Sequence, residues 1–123
     1  MNTNAFKDLI WVGDSRKNLC EFPDEVKDEM GYALHLAQNG FTHPNAKLFK
    51  IKDDSGIYEI VSNFNTDTFR AIYTVKIDDK IYVLHAFKKK SKSGIKTPKP
   101  EVDLIKKRLG DAKILSKSFK LEK

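Results

Sequence analysis

Cysteine is nearly absent: the 123-residue chain has one, Cys20, so neither an intramolecular disulfide nor a cysteine-built zinc site can form within it. A reducing, cytoplasmic setting is the expectation. Long apolar runs are also lacking. The longest near-apolar run, residues 81–87, is far too short to span a bilayer, and residues 1–16 have neither a basic start nor an apolar stretch of signal-peptide length, so secretion and membrane insertion are not expected. There is no glycine-rich phosphate loop, no pair of histidines four residues apart and no G-x-S-x-G, which leaves nucleotide-triphosphate, zinc-protease and serine-hydrolase chemistry without support. His35, His43 and His85 are scattered, and no metal or cofactor site is read.

What is present is enough for a core. Forty per cent of residues are apolar, with eight Phe, four Tyr and one Trp, a composition unlike that of a disordered chain. The length suits one domain spanning 1–123. Charge is unevenly placed: residues 1–87 carry 10 Lys and Arg against 13 Asp and Glu, whereas residues 88–123 carry 13 against 4. The net charge is −3 before Lys88 and +9 from it onward. A basic segment of that density points to a polyanion such as nucleic acid, or to an acidic protein surface. The plain alternative is a solvated lysine-rich stretch with no specific partner.

The apolar run at 9–12, followed by Gly13-Asp14-Ser15, reads as a strand that turns into a short helix through Leu19. Pro23 then opens a longer helix. Asp24, Glu25 and Asp28 complement its N-terminal dipole, Val26, Met30, Ala33, Leu34 and Ala37 recur at helical spacing, and Asn39-Gly40 stops it. From Ala46 the period changes. Segments 46–51, 57–62, 68–76 and 80–87 are rich in Ile, Val, Tyr, Phe and Thr and are divided by turn-forming residues, which predicts four strands in an antiparallel meander. The last two, joined through Asp78-Asp79, should form a hairpin with Phe69, Ala71, Tyr73 and Val75 on one face and Arg70, Ile72 and Thr74 on the other. Residues 88–99 read as a basic loop. A final helix over about 100–113 follows, with Val102, Ile105, Leu109 and Ala112 as its stripe. The class is α+β, with helices on one side of the sheet and the other side free for a ligand or partner.

Three polar residues interrupt strands that otherwise read as apolar: Glu59, Arg70 and His85. A charge in such a place must be exposed, paired or functional, because burying it alone costs several kcal/mol. A Glu59–Arg70 pair that merely satisfies itself is one reading. The other is a site, since His85 is followed almost at once by Lys88-Lys89-Lys90, so that acid, base and cation candidates meet near one strand end.

The pattern Y-E-I (58–60), R-x-x-Y (70–73), V-L-H-x-F-x-K-K-S (83–91) and T-P-K (97–99) resembles the RelE/HigB-type toxins, in particular the phage-related branch of the RelE/ParE superfamily. The resemblance covers residues 46–109, with a similar context at Trp11 and Phe22-Pro23. It implies a RelE-like α+β fold and the toxin of a type II toxin–antitoxin pair: a metal-independent, ribosome-associated endoribonuclease that cuts messenger RNA and is held inactive by a small helix-turn-helix antitoxin. Arg70 matches the family's strand arginine, Lys88, Lys89 and Lys90 its basic run, and Glu59 its strand glutamate, while Val61 stands where many members have arginine. RNA cleavage by the 2′-hydroxyl needs proton exchange and a cation for the phosphate. Glu59 or His85 suits the first task and Arg70 with a lysine the second. Phe87 or Tyr73 suits stacking on a base, though core packing is the commoner role for Tyr73. Lys88, Lys89, Lys90, Lys92 and Lys96 suit the RNA backbone. The alternatives are a ParE-like toxin that binds a topoisomerase without catalysis, and an RNA- or DNA-binding accessory protein. Induced expression should arrest growth, and co-expression of an antitoxin from the adjacent reading frame should relieve it. Normal growth with soluble protein verified in the cells would count against both toxin readings.

Overall fold

The computed structural model describes residues 6–89 and 97–121. Its elements are β1 (Leu9–Trp11), α1 (Ser15–Cys20), α2 (Asp24–Gln38), β2 (Ala46–Leu48), β3 (Ile57–Phe64), β4 (Asp67–Ile77), β5 (Lys80–Lys89) and α3 (Lys99–Leu121). They form an α+β fold around one sheet of strand order β1-β5-β4-β3-β2. The β2–β3, β3–β4 and β4–β5 pairs are antiparallel, and β1 alone runs parallel to its neighbour, β5.

Tight turns set this order. Asn65-Thr66 joins β3 to β4 and Asp78-Asp79 joins β4 to β5, and all four residues have positive φ (50°, 69°, 54° and 55°). Two consecutive left-handed residues give the turn whose twist matches that of paired strands. Asn and Asp tolerate that conformation, whereas Thr66 is strained in it. The strand expected over 46–51 ends at Leu48, because the chain turns back through an isolated bridge between Ile51 and Asp54, with Asp53 left-handed.

Both faces of the sheet are covered, so the free face expected from the sequence does not exist. On one side α1 and α2 bury Leu19, Val26, Met30, Ala33 and Leu34 against Ile60, Ala71, Tyr73, Ile81 and Val83. Tyr73 packs there beside Tyr58 at 5.4 Å, in the core role expected of it, and burial pushes its hydroxyl up to about 12. On the other side α3 buries Ile105, Leu109 and Ala112 against Ile57, Ile72, Tyr82 and Leu84. At roughly 1.5–3 kcal/mol for each large aliphatic side chain removed from water, α3 has ample reason to cover this face.

Helix α3 also runs eight residues beyond the expected end at Lys113. The reason lies in its partners. Leu115 and Phe119 lean on the second core, and the Asp78 carboxylate in the β4–β5 turn accepts hydrogen bonds from the Ser116 hydroxyl and, at 3.3 Å, from Lys120. These bonds hold Asp78 below the usual carboxylate range. Lys113 reaches Asp54 at 3.0 Å. Because Ser116, Lys117 and Lys120 interrupt the apolar stripe, the sequence alone shows no helix there.

Arg108 clamps the middle of α3 onto the chain's beginning. Its guanidinium donates to the Leu84 carbonyl at 3.1 Å and to the Asp14 carboxylate at 2.9 Å. Gly13 makes room for it. With φ of +58°, any Cβ at that position would stand 2.5 Å from the Arg108 guanidinium carbon. The Arg108 hydrogen bond holds the Asp14 carboxyl below its ordinary 3.8. Arg108→Ala should therefore destabilise the fold by about 1–3 kcal/mol, the cost of leaving a buried carbonyl unsatisfied, read as a lower urea midpoint at unchanged slope. A depressed carboxyl contributes stability that is present above its unfolded pKa and lost as pH falls through the folded one. Wild type should therefore lose stability as pH drops below 3.8, and Arg108→Ala should show a shallower loss over the same window.

Candidate active site

Sheet register brings the strand polar residues together. Glu59, Ile72 and His85 lie in one cross-strand row, and Val61, Arg70 and Phe87 in the next. Residues in such rows share a face, which here is the face covered by α3. His85 reaches it through an irregularity. Ile72 pairs with His85 but Tyr73 with Val83, so Leu84 is an extra residue in β5, a bulge that shifts every later side chain to the opposite face. Tyr82, which strict alternation would put on the face away from His85, consequently shares the α3 face with it.

Around this row the contacts are short. The Arg70 guanidinium donates to Glu59 Oε2 at 2.6 Å, and the Thr97 hydroxyl donates to the same oxygen at 3.2 Å. His85 Nε2 lies 2.6 Å from Oε1 of Glu101 on the first turn of α3, and the His85 ring stacks on Phe87 at 4.9 Å and 19°. Arg70, His85, Phe87 and Lys89 are all buried. The Lys89 ammonium is pushed below its ordinary value, first by desolvation and then by the Arg70 charge, with Glu59 opposing. Lys89 thus belongs electrostatically to the Glu59–Arg70 pair.

Lys88 and Lys89 do not open a loop, as the sequence suggests, because β5 continues to Lys89 and α3 begins at Lys99. Strand alternation separates them. Lys89 lies with Arg70, whereas Lys88 is half exposed and pairs with Asp67 at 3.3 Å. Lys90, Lys92 and Lys96 lie outside the described residues. A cleft of about 660 Å³ runs past the cluster, lined by Phe22, Phe64, His85, Phe87, Lys88 and Glu101 among others. It offers aromatic surface, one lysine and the acidic side chains of Glu21, Asp67 and Glu101 in one concavity. Among the described residues no group of three or more His, Cys, Asp or Glu is placed to hold a metal ion.

Two members of the cluster are missing from the sequence reading. Thr97 belongs to the T-P-K motif without a role attached, and Glu101 reads as an ordinary acid complementing a helix N-terminus. Only the approach of α3 to β5 shows their partners.

Residues 17–110 match the family described as "Phage derived protein Gp49-like (DUF891)". The chain belongs to this family. Gp49-like proteins are phage-derived and associated with toxin–antitoxin systems, and they fall within the RelE/ParE-like toxin superfamily. An antitoxin partner follows from that membership. The matched segment contains Glu59, Arg70, His85, Phe87, Thr97 and Glu101. No curated protein and no solved structure matches the chain.

In this Gp49-like site the Glu59–Arg70 pair is nearly closed to water, with side chains 12% and 9% exposed. Arg70→Ala should cost about 3–5 kcal/mol, because it strips a buried carboxylate of its strongest partner. Adding Glu59→Gln should recover part of that loss. Denaturant unfolding of the two single variants and the double variant measures the coupling, and simple additivity would show the pair to be uncoupled.

Proposed function

We propose that this chain is the toxin of a type II toxin–antitoxin pair and acts in the cytoplasm as a metal-independent endoribonuclease of the RelE/HigB type, cutting messenger RNA at the ribosome. The observation that carries the reading is the convergence of Glu59, Arg70 and His85, from three strands, on one sheet face, with His85 at the wall of an open cleft. A structural ion pair would need only the first two.

The chemistry follows from these groups. The 2′-oxygen attacks the neighbouring phosphorus, the bond from phosphorus to the 5′-oxygen breaks, and the products are a 2′,3′-cyclic phosphate and a 5′-hydroxyl. Negative charge grows on the non-bridging oxygens, and Arg70, buried next to Phe87 of the cleft wall and held in place by Glu59, supplies a fixed positive charge. Proton exchange falls to the His85 end of the cluster. Phe87 lies at the cleft wall, where a base can stack. Lys88, with Lys90, Lys92 and Lys96, supplies charge for the RNA backbone, and a helix-turn-helix antitoxin holds the toxin silent.

Single-turnover cleavage of messenger RNA, with and without ribosomes, tests this reading. Wild type should cleave, and Arg70→Ala should cleave about 10²–10³-fold more slowly, the loss typical of one preorganised donor, with binding nearly unchanged. Arg70→Lys keeps the buried charge but not the planar fork. It should therefore keep the fold, checked by a melting curve, and still lose rate. Unimpaired cleavage by folded Arg70 variants would remove the arginine from catalysis. No cleavage by wild type in either condition would favour a toxin that binds a topoisomerase.

A further inference from the structure

His85 and Glu101 both line the cleft, but they are not equally open to it. The His85 side chain is 5% exposed and that of Glu101 is 32%. One ring nitrogen of His85, Nε2, is taken by the Glu101 carboxylate at 2.6 Å. The other, Nδ1, is sealed from solvent and has no hydrogen-bond partner among the described residues. Phe87 covers a ring face. A nucleotide entering the cleft therefore finds Nε2 already bonded and Nδ1 closed off, whereas the more exposed Glu101 carboxylate is open to it. Glu59, the other carboxylate of the cluster, is nearly closed to water, and its Oε2 is committed to Arg70 and Thr97.

We propose that Glu101 is the proton acceptor of this site and that His85 is a positioning residue behind it. The inference rests on the ribonuclease reading above and changes which group does the acid–base work. The O–H bond of the 2′-hydroxyl breaks and its proton passes to the free oxygen of Glu101. The O2′–P bond forms, the P–O5′ bond breaks, and the departing 5′-oxygen takes a proton from water. His85 donates from Nε2 to Oε1, which leaves the second oxygen to accept the proton.

Glu101→Gln and His85→Gln decide the point, since glutamine at 85 still offers an N–H to Glu101 whereas glutamine at 101 cannot accept a proton. Both variants and wild type are assayed for single-turnover cleavage of one messenger RNA that wild type cuts. Binding is read on the same RNA with a 2′-deoxy nucleotide at the cut site, and folding by a melting curve. Glu101→Gln should melt and bind as wild type does and cleave about 10²–10⁴-fold more slowly, the range of a lost general base. His85→Gln should lose less. Cleavage at the wild-type rate by Glu101→Gln overturns the proposal, as does a folded His85→Gln that falls further than Glu101→Gln. Should His85→Gln fail to fold, the Glu101→Gln rate decides alone. Wild type that cuts no RNA overturns the ribonuclease reading and this one with it. Wild type that cuts beside an unimpaired Glu101→Gln overturns this one only.

Discussion

One extra residue in β5 organises the rest of this molecule. Strict alternation from Tyr82 would put His85, Phe87 and Lys89 on the face covered by α1 and α2, across the sheet from Glu59 and Arg70. The bulge at Leu84 moves all three to the other side. Its backbone is held on that account: the Leu84 carbonyl is bound by Arg108 and the Leu84 side chain enters the second core. The device that re-aims the polar residues is therefore the same point at which α3 grips the sheet. Site and second core cannot be changed independently there.

The grip of α3 is distributed along its length. Glu101 meets His85 at one end, Arg108 holds the Leu84 carbonyl and Asp14 in the middle, and Ser116 and Lys120 hold the Asp78 turn at the other. Half-exposed ion pairs contribute little individually. They act here as alignment: the apolar stripe supplies the attraction, and the polar contacts choose which turn of the helix faces which strand. That choice brings Glu101 opposite His85.

Much of this could be read from residue order. The β-branched and aromatic segments after Ala46, the turn residues between them and the helical spacing from Val26 to Ala37 are local signals, and they mark elements of the kind observed. The face shared by Arg70, Ile72 and Thr74 follows from alternation alone. What was not legible depends on contacts between distant parts of the chain. A bulge has no local signature in Val83-Leu84-His85-Ala86. The reach of α3 to Leu121 depends on Asp54 and Asp78, and its alignment on the second face depends on Arg108 meeting Asp14, 94 positions earlier. Glu59, Arg70 and His85 stood out because a polar group in an apolar strand demands explanation. Glu101 did not, because an acid in a first helical turn demands none.

The order of the elements has a temporal consequence. The sheet and its first covering layer are complete by Lys89, but Ile57, Ile72, Tyr82 and Leu84 stay bare until the residues of α3 have been made. A chain that stops short of α3 therefore has one covered side and one bare side. Its polar cluster still lacks Glu101. The helix that shields the sheet from aggregation is also the one that completes the cluster, so a partly synthesised copy is at once sticky and unfinished. Docking of α3 thereby covers the second core and brings Glu101 to His85 in one event.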